Sequence, residues 1–206
     1  ILASFEKDKK EINYLLEANQ PNPATKFVDI TNKLDQIKLE WEKEKALKLS
    51  AQLGKLPGEL LEILSSSTKD ISLSLNERKI LYTATASATI AKNPEIILPA
   101  TSTQEEQRNI EPNQIYVYDI KEDKNFHISS IKDNLKTTWL STSRHLFVVQ
   151  EGKIFIAEYD GTNWANVYSG PFKNTFAYPF PSGNQILILT SLGEDSPLNL
   201  YAIPLK

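Results

Sequence analysis

The chain has 206 residues, of which 40% are hydrophobic, and this composition suits one large or two small globular domains. Its formal net charge of -3 offers no basic surplus for nucleic acid and no polybasic segment for a lipid surface. Cysteine is absent, which excludes disulfides and thiolate metal sites, and no apolar run of about 18 residues occurs, so we expect no membrane span.

Residues 1–31 are predicted to be the end of a truncated sheet unit. The chain begins at Ile1 in the middle of a strand-like pattern and contains no methionine. We interpret it as the C-terminal portion of a longer protein, whose upstream residues complete this unit and carry any export signal. A helix over residues 1–16 is the alternative, because the segment is richly charged. We favour strands, since Tyr14 matches an aromatic position that recurs later in the chain.

Residues 32–69 are predicted to form an inserted helical hairpin. Good helix formers dominate the segment, Thr31 or Asn32 suits an N-cap position, and Gly54 suits the position after a helix C-terminus. Pro57 then suits the first turn of a second, short helix. Apolar residues within 37–41 also alternate with the period of a strand. We expect the hairpin to pack on the sheets, and a partner-binding helix pair is the alternative.

Residues 70–130 are predicted to be a four-stranded unit that is interrupted between its second and third strands. The interruption, residues 86–113, contains three prolines and a polar run. Loops longer than about 12–15 residues are uncommon in compact domains and are usually functional or disordered. We interpret this one as a mobile insertion, with a binding function as the alternative.

Residues 131–170 make the most complete predicted unit, which opens near Trp139. Within it, Asp160-Gly161 is a strong signal for a tight hairpin turn. Residues 171–206 supply three strands of a further unit, which lacks its last strand.

A hairpin made of a short apolar strand, a polar turn and a more hydrophobic strand occurs three times, at residues 71–83, 138–149 and 177–189. When the copies are aligned on the turn, three positions coincide: one in the turn, one in the second strand and one aromatic position in the strand that follows. These positions are Asn76, Thr142 and Ser182; Ile80, Leu146 and Ile186; and Tyr116, Phe155 and Tyr201.

Four antiparallel strands that repeat with a period of roughly 40 residues are the signature of a propeller blade. Such a sheet cannot bury both faces alone, so successive copies stack on one another. The predicted fold is therefore mainly β: a partial β-propeller of about three to four four-stranded antiparallel blades, with an inserted helical hairpin.

The turn of each hairpin carries a family resemblance. Trp139 keeps the aromatic residue of a Trp-Ser-Pro-Asp-Gly-like turn, and residues 181–183 keep Pro-Ser-Gly. The turns at residues 75–77 and 141–143 lack the Pro and Gly. The hairpins resemble the WD40-like repeats of the TolB-type β-propeller family. Residues 56–67 and 115–126 look like the C-terminal propeller of PEGA-domain envelope proteins from uncultured bacteria. This resemblance implies an extracytoplasmic, cell-envelope location, with a membrane anchor and a PEGA module upstream.

No catalytic constellation is recognisable in the sequence. Only two histidines occur, His127 and His145, and there is neither a Gly-x-Ser-x-Gly elbow nor a Gly-rich phosphate loop. We therefore predict no catalytic residue, no metal site and no cofactor. The acidic pairs at residues 122–123 and 194–195 are expected to be solvated turn residues, although paired carboxylates can serve glycoside hydrolysis.

The expected strand order places one candidate binding face. In an antiparallel blade, the connection between strands two and three leaves at the same end as the connection between blades, so residues 32–66 and 86–113 should crowd together. Deleting residues 88–111 should then abolish partner capture and leave the melting temperature nearly unchanged. The residues predicted for this partner-binding face are Trp41, Ile96, Ile97, Leu98, Glu105 and Arg108.

The predicted function is a non-catalytic module for recognition or scaffolding at the bacterial cell envelope, with a protein or an envelope glycan as partner and no nucleic acid. One alternative is the accessory propeller of a larger hydrolase of the prolyl oligopeptidase type. Another is a propeller enzyme with its own central carboxylate site.

Overall fold

The chain is mainly β, with several antiparallel sheets and two α-helices among the residues that the structure describes. It divides into two compact units, Ile1–Gln52 and Leu53–Lys206, here called the amino unit and the carboxy unit. No closed ring of sheets is found within the residues that the structure describes. The computed structural model describes residues 2–7, 9–17, 22–23, 25, 27–94, 103–131, 135–173, 176–191, 193 and 196–205.

The amino unit begins with a three-stranded antiparallel sheet, so the prediction of strands over a helix is confirmed. Asn13 is buried at its centre, where its N–H donates to Thr31 Oγ1 at 2.9 Å and its carbonyl accepts from Ile30 N–H at 2.8 Å. The Tyr14 ring lies 5.3 Å from that of Phe27. The strands pair in the order β1 (Leu2–Lys7), β2 (Lys10–Leu15) and β3 (Val28–Asp29).

A short 3-10 helix, Thr31–Lys33, leads into the long helix α1, Leu34–Leu53. Helix α1 buries none of its residues, and Leu39 and Trp41 are 51% and 44% exposed. Its last residue, Leu53, is half-buried and packs against a core cluster of the carboxy unit, and the packing of the rest of the helix on the sheets stays a prediction. Apolar residues two positions apart, as within 37–41, point to different sides of a helix, so they form no continuous stripe.

The carboxy unit holds helix α2, two four-stranded sheets, one three-stranded sheet and a two-stranded ladder. The sheets are β4-β5-β8-β9, β10-β11-β12-β13 and β14-β15-β16, here called the first, second and third sheets, and the ladder is β6-β7. The bounds are α2 Gly58–Ser67, β4 Thr68–Leu73, β5 Lys79–Ala84, β6 Ala88–Thr89, β7 Asn109–Ile110, β8 Gln114–Asp119, β9 Lys124–Ser130, β10 Lys136–Trp139, β11 His145–Gln150, β12 Lys153–Glu158, β13 Ala165–Tyr168, β14 Ala177–Pro179, β15 Gln185–Thr190 and β16 Asn199–Pro204.

The three predicted hairpins are present as β4-β5, β10-β11 and β14-β15, and their turns are built alike. In each turn the N–H of the first residue donates to a carbonyl five positions on, and the N–H three positions on donates back to its carbonyl. The outer bonds are Ser74 to Lys79, Leu140 to His145 and Phe180 to Gln185, at 2.9, 3.0 and 2.9 Å. The end of the sheets that carries these turns is called the turn end below.

The three sheets stack face to face, and successive residues of a strand point to opposite faces of its sheet. One core cluster joins Val117 of the first sheet to Val148 of the second, and another joins Phe147 of the second to Ile188 of the third. The aromatic positions found in the sequence are equivalent here. Tyr116 is paired with Tyr82, Phe155 with Val148 and Tyr201 with Ile188, each between the second and third strands of its sheet.

Helix α2 covers the remaining face of the first sheet. Its Leu60 and Leu64 are buried in one cluster with Ile90, which follows β6, and Ile110, which ends β7. The described parts of the interruption 86–113 are thus ordered against the core. Deleting residues 88–111 would remove Ile90 and Ile110 from this cluster, so we now expect the deletion to lower the melting temperature.

Candidate functional site

The described residues of the predicted partner-binding face belong to two compact units, Trp41 to the amino unit and Glu105 and Arg108 to the carboxy unit. Trp41 is exposed on α1 of the amino unit, and Glu105 is exposed in the carboxy unit. Ile96, Ile97 and Leu98 lie outside the described residues.

Arg108, the last residue predicted for that face, is committed to contacts within the chain. Its Nε–H donates to Glu106 Oε2 at 2.9 Å, and its Nη1–H donates to the carbonyl of Ala91 at 2.9 Å. Its Nη2–H donates to Asp123 Oδ2 at 3.0 Å and also to the Asp123 carbonyl. Burial lowers the pKa of Arg108, but the bonds to Asp123 and Glu106 outweigh this and raise it. Arg108 therefore ties the interruption to the β8-β9 turn, and its guanidinium is not available to a partner.

The expectation that Asp123 is a solvated turn residue is wrong. Asp123 is buried, and it accepts from Tyr118 Oη–H at 2.6 Å and from the N–H of Asn93 at 2.7 Å. Burial raises the pKa of Tyr118, and the bond to Asp123 adds to the rise. Since these groups satisfy one another, the cluster is structural.

The histidines take similar structural roles. His127 Nε2–H donates to Gln114 Oε1 at 2.8 Å, and burial lowers its pKa. His145 Nδ1 lies 3.0 Å from Thr142 Oγ1 at the start of β11. Among the residues that the structure describes, no three His, Asp or Glu side chains come together in a way that could hold a metal ion.

An apolar groove of about 310 Å³ crosses the turn end. It is built from the same three-residue window of three neighbouring hairpins, the residues where each first strand passes into its turn. The windows supply Leu73 and Leu75, then Trp139, Leu140 and Ser141, then Pro179, Phe180 and Pro181.

The groove keeps large apolar groups in solvent. Leu75 is 73% exposed and Phe180 is 37% exposed. Trp139 Nε1–H donates to the carbonyl of Ser72 at 3.2 Å, which fixes the indole against the first sheet. Because polar partners are few along the groove, it suits an apolar group better than a hydrated one.

A charged cleft of about 350 Å³ lies on the other side of the same turns. At its floor, Lys79 Nζ lies 3.4 Å from Asp119 Oδ2 and 4.4 Å from the centre of the Tyr159 ring. The cleft is lined by Asn76, Arg78, Lys79, Asp119, Lys121, Glu122, Arg144, Glu158, Tyr159 and Asp160.

Two turns form the ridge between groove and cleft. Leu75 lines the groove and its neighbour Asn76 lines the cleft, while Ser141 and Arg144 do the same in the next turn. The N–H of Asn76 donates to Ser143 Oγ at 3.0 Å, which ties the two turns together. A ligand lying across this ridge would contact both surfaces.

Sequence reasoning missed this site because it treated the hairpins as architecture. One signal was present: the three residues before the aligned turn position are mainly apolar in every copy, although a turn end faces solvent.

No protein-family model matches the sequence, and no curated protein matches it. Neither described helix is both long enough and apolar enough to cross a membrane.

Proposed function

We propose that the chain is a non-catalytic recognition module of the β-propeller class, which binds a protein partner across the apolar groove at its turn end. The groove carries the proposal. Three neighbouring sheets contribute to it through equivalent positions, and it leaves Leu75 and Phe180 in solvent although burial would be favourable.

The distribution of ionisable groups supports recognition over catalysis. Arg108 and Tyr118 both donate to Asp123, and Lys79 forms an ion pair with Asp119, so these groups serve the fold. A general acid or base needs a group that is free to exchange a proton with a substrate.

The propeller class is supported by the repeated hairpins, the equivalent aromatic positions and the face-to-face stacking of the carboxy unit. The sequence resemblance to PEGA-domain envelope proteins supports a place at the bacterial cell envelope. A protein is favoured over a glycan because sugar hydroxyls would lose their hydration in a groove with few polar partners.

Panning a random-peptide display library against the full chain tests the proposal. Leu75→Asp places a charge in the groove at an exposed position, so it should abolish the enrichment of apolar motifs while the chain still folds. Leu198→Asp is the matched control, because Leu198 is 47% exposed and does not line the groove. Equal enrichment by wild type and Leu75→Asp, or no enrichment by wild type, would refute the function.

A further inference from the structure

Arg78 and Arg144 stand at equivalent positions of neighbouring turns on the ridge between groove and cleft. Both are exposed, and both line the charged cleft. Their carbonyls accept from the N–H groups of Ile120 and Tyr159, each at 2.9 Å, so the backbone from which each side chain projects is fixed.

The acidic groups of the cleft already have partners. Asp119 accepts from the N–H groups of residues 121 and 122 at 2.9 and 3.0 Å and faces Lys79. Glu158 accepts from Asn163 at 2.7 Å. Asp160 accepts from the Thr162 hydroxyl at 2.6 Å, and Glu122 also takes part in a contact within the chain.

The two arginines differ from these acids. Within the described part of the chain, neither guanidinium has an ion pair or a hydrogen-bond partner. The exposed Lys121 also lacks an ion pair there. The cleft is lined by equal numbers of acidic and basic residues, but Asp119, Glu158 and Asp160 each accept hydrogen bonds within the chain, whereas the guanidinium N–H groups of the two arginines remain available to a ligand.

We propose that the partner is an acidic peptide segment, with an apolar side chain in the groove and neighbouring carboxylates on Arg78 and Arg144. This inference rests on the proposed recognition function and names its partner class. A guanidinium offers a planar fork of N–H donors that matches a carboxylate in two-point contact. Leu75 lines the groove and the next residue, Asn76, lines the cleft, so the two surfaces meet at this turn and one peptide segment can contact both.

An anionic polysaccharide or a nucleic acid would also meet the arginines, but it fits the groove less well. Either ligand would lay hydrated groups over Leu75, Phe180 and the two prolines, whose side chains offer no hydrogen bonds. A peptide supplies the carboxylates and the apolar side chain together.

The test extends the panning to a second bait, Arg78→Gln/Arg144→Gln. Wild type should enrich motifs in which Asp or Glu adjoins an aliphatic or aromatic residue, and the double variant should enrich apolar motifs without excess acid. Both positions are exposed, so both baits should melt at the same temperature.

Fluorescence polarisation with the synthetic consensus peptide gives the size of the effect. Each Arg→Gln change should weaken binding about tenfold, and each Arg→Lys change less, because charge is kept and the fork is lost. Higher salt should weaken binding to wild type and leave the double variant nearly unaffected.

The outcomes separate the two proposals. If peptides bind through the groove without a preference for Asp or Glu, the proposal of an acidic partner is overturned and the proposed recognition function is supported. Tighter binding of an anionic polysaccharide such as heparin than of the consensus peptide also overturns it. Failure of wild type to enrich any peptide overturns both.

Discussion

Arg108 and Asp123 are joined by a 3.0 Å contact between Nη2 and Oδ2, and this contact fastens a long interruption to the sheet that it interrupts. The Arg108 side chain is 15% exposed and that of Asp123 is 2% exposed. The pair is therefore shielded from solvent, and removing one partner should cost more than breaking a surface ion pair, because the other charge would stay buried.

Replacing Arg108 with Met should lower the free energy of unfolding by about 3 kcal/mol, because it leaves the Asp123 carboxylate buried with one charged partner fewer. Urea denaturation would measure the loss. Glu105→Ala is the control, since Glu105 is exposed and should change stability by less than about 0.5 kcal/mol. Equal stability of the two variants would mean that Arg108 does not hold the interruption in place.

Leu64→Ala on α2 should cost about 3 kcal/mol, because Leu64 is fully buried against the first sheet. Leu39→Ala makes the same change on α1, at a position that is 51% exposed, and should be nearly neutral. Thermal melting of both variants tests the difference between the helices. A large loss from Leu39→Ala would show that α1 buries its apolar residues after all.

Glu77→Gly should raise stability by about 0.5 kcal/mol. Glu77, Ser143 and Gly183 occupy the same turn position with φ of 57°, 57° and 74°, which glycine adopts without strain. Ser143→Gly is the matched variant, but it also removes the Oγ that accepts from Asn76, and that loss costs about 1 kcal/mol. Denaturant midpoints should therefore move in opposite directions, and a shared direction would contradict the argument.

His127 should make the fold less stable in mild acid. Burial lowers its folded-state pKa below the ordinary 6.5, so near that pH the unfolded chain binds more protons than the folded chain. The free energy of unfolding should fall as the pH drops through 6.5 and level off below the folded-state pKa. His127→Gln should flatten this slope relative to wild type, whereas carboxylates titrate equally in both proteins. If the free energy of unfolding of wild type and His127→Gln depends on pH with the same slope, His127 is not the group responsible.

The sheets could be predicted because strand alternation and turn residues are local signals. Residues 71–83, 138–149 and 177–189 each form a hairpin, and the third strands begin where the repeat places them. The packing of the interruption against the core could not be predicted from local signals. Ile90 and Ile110 are isolated apolar residues in a polar segment, and only the folded core reveals that both are buried.

The candidate site was harder to predict than the sheets for a related reason. Arg78 and Arg144 are distant in sequence and line one cleft only because two sheets stack. Arg108 belongs to the predicted partner-binding face, yet a buried carboxylate from the β8-β9 turn accepts a hydrogen bond from it. Sequence shows which charges exist, but it does not show which of them neutralise one another.

The ridge is formed by separate turns. The arginine that each of these turns exposes, Arg78 or Arg144, takes no part in the cores between the sheets. The third turn carries Asn184 where the other two carry arginine. Substitutions in a single turn can therefore change the ligand preference of such a molecule without lowering the stability of its sheets. An engineer could likewise retune it by exchanging single loop residues, beginning with Asn184→Arg to lengthen the basic row.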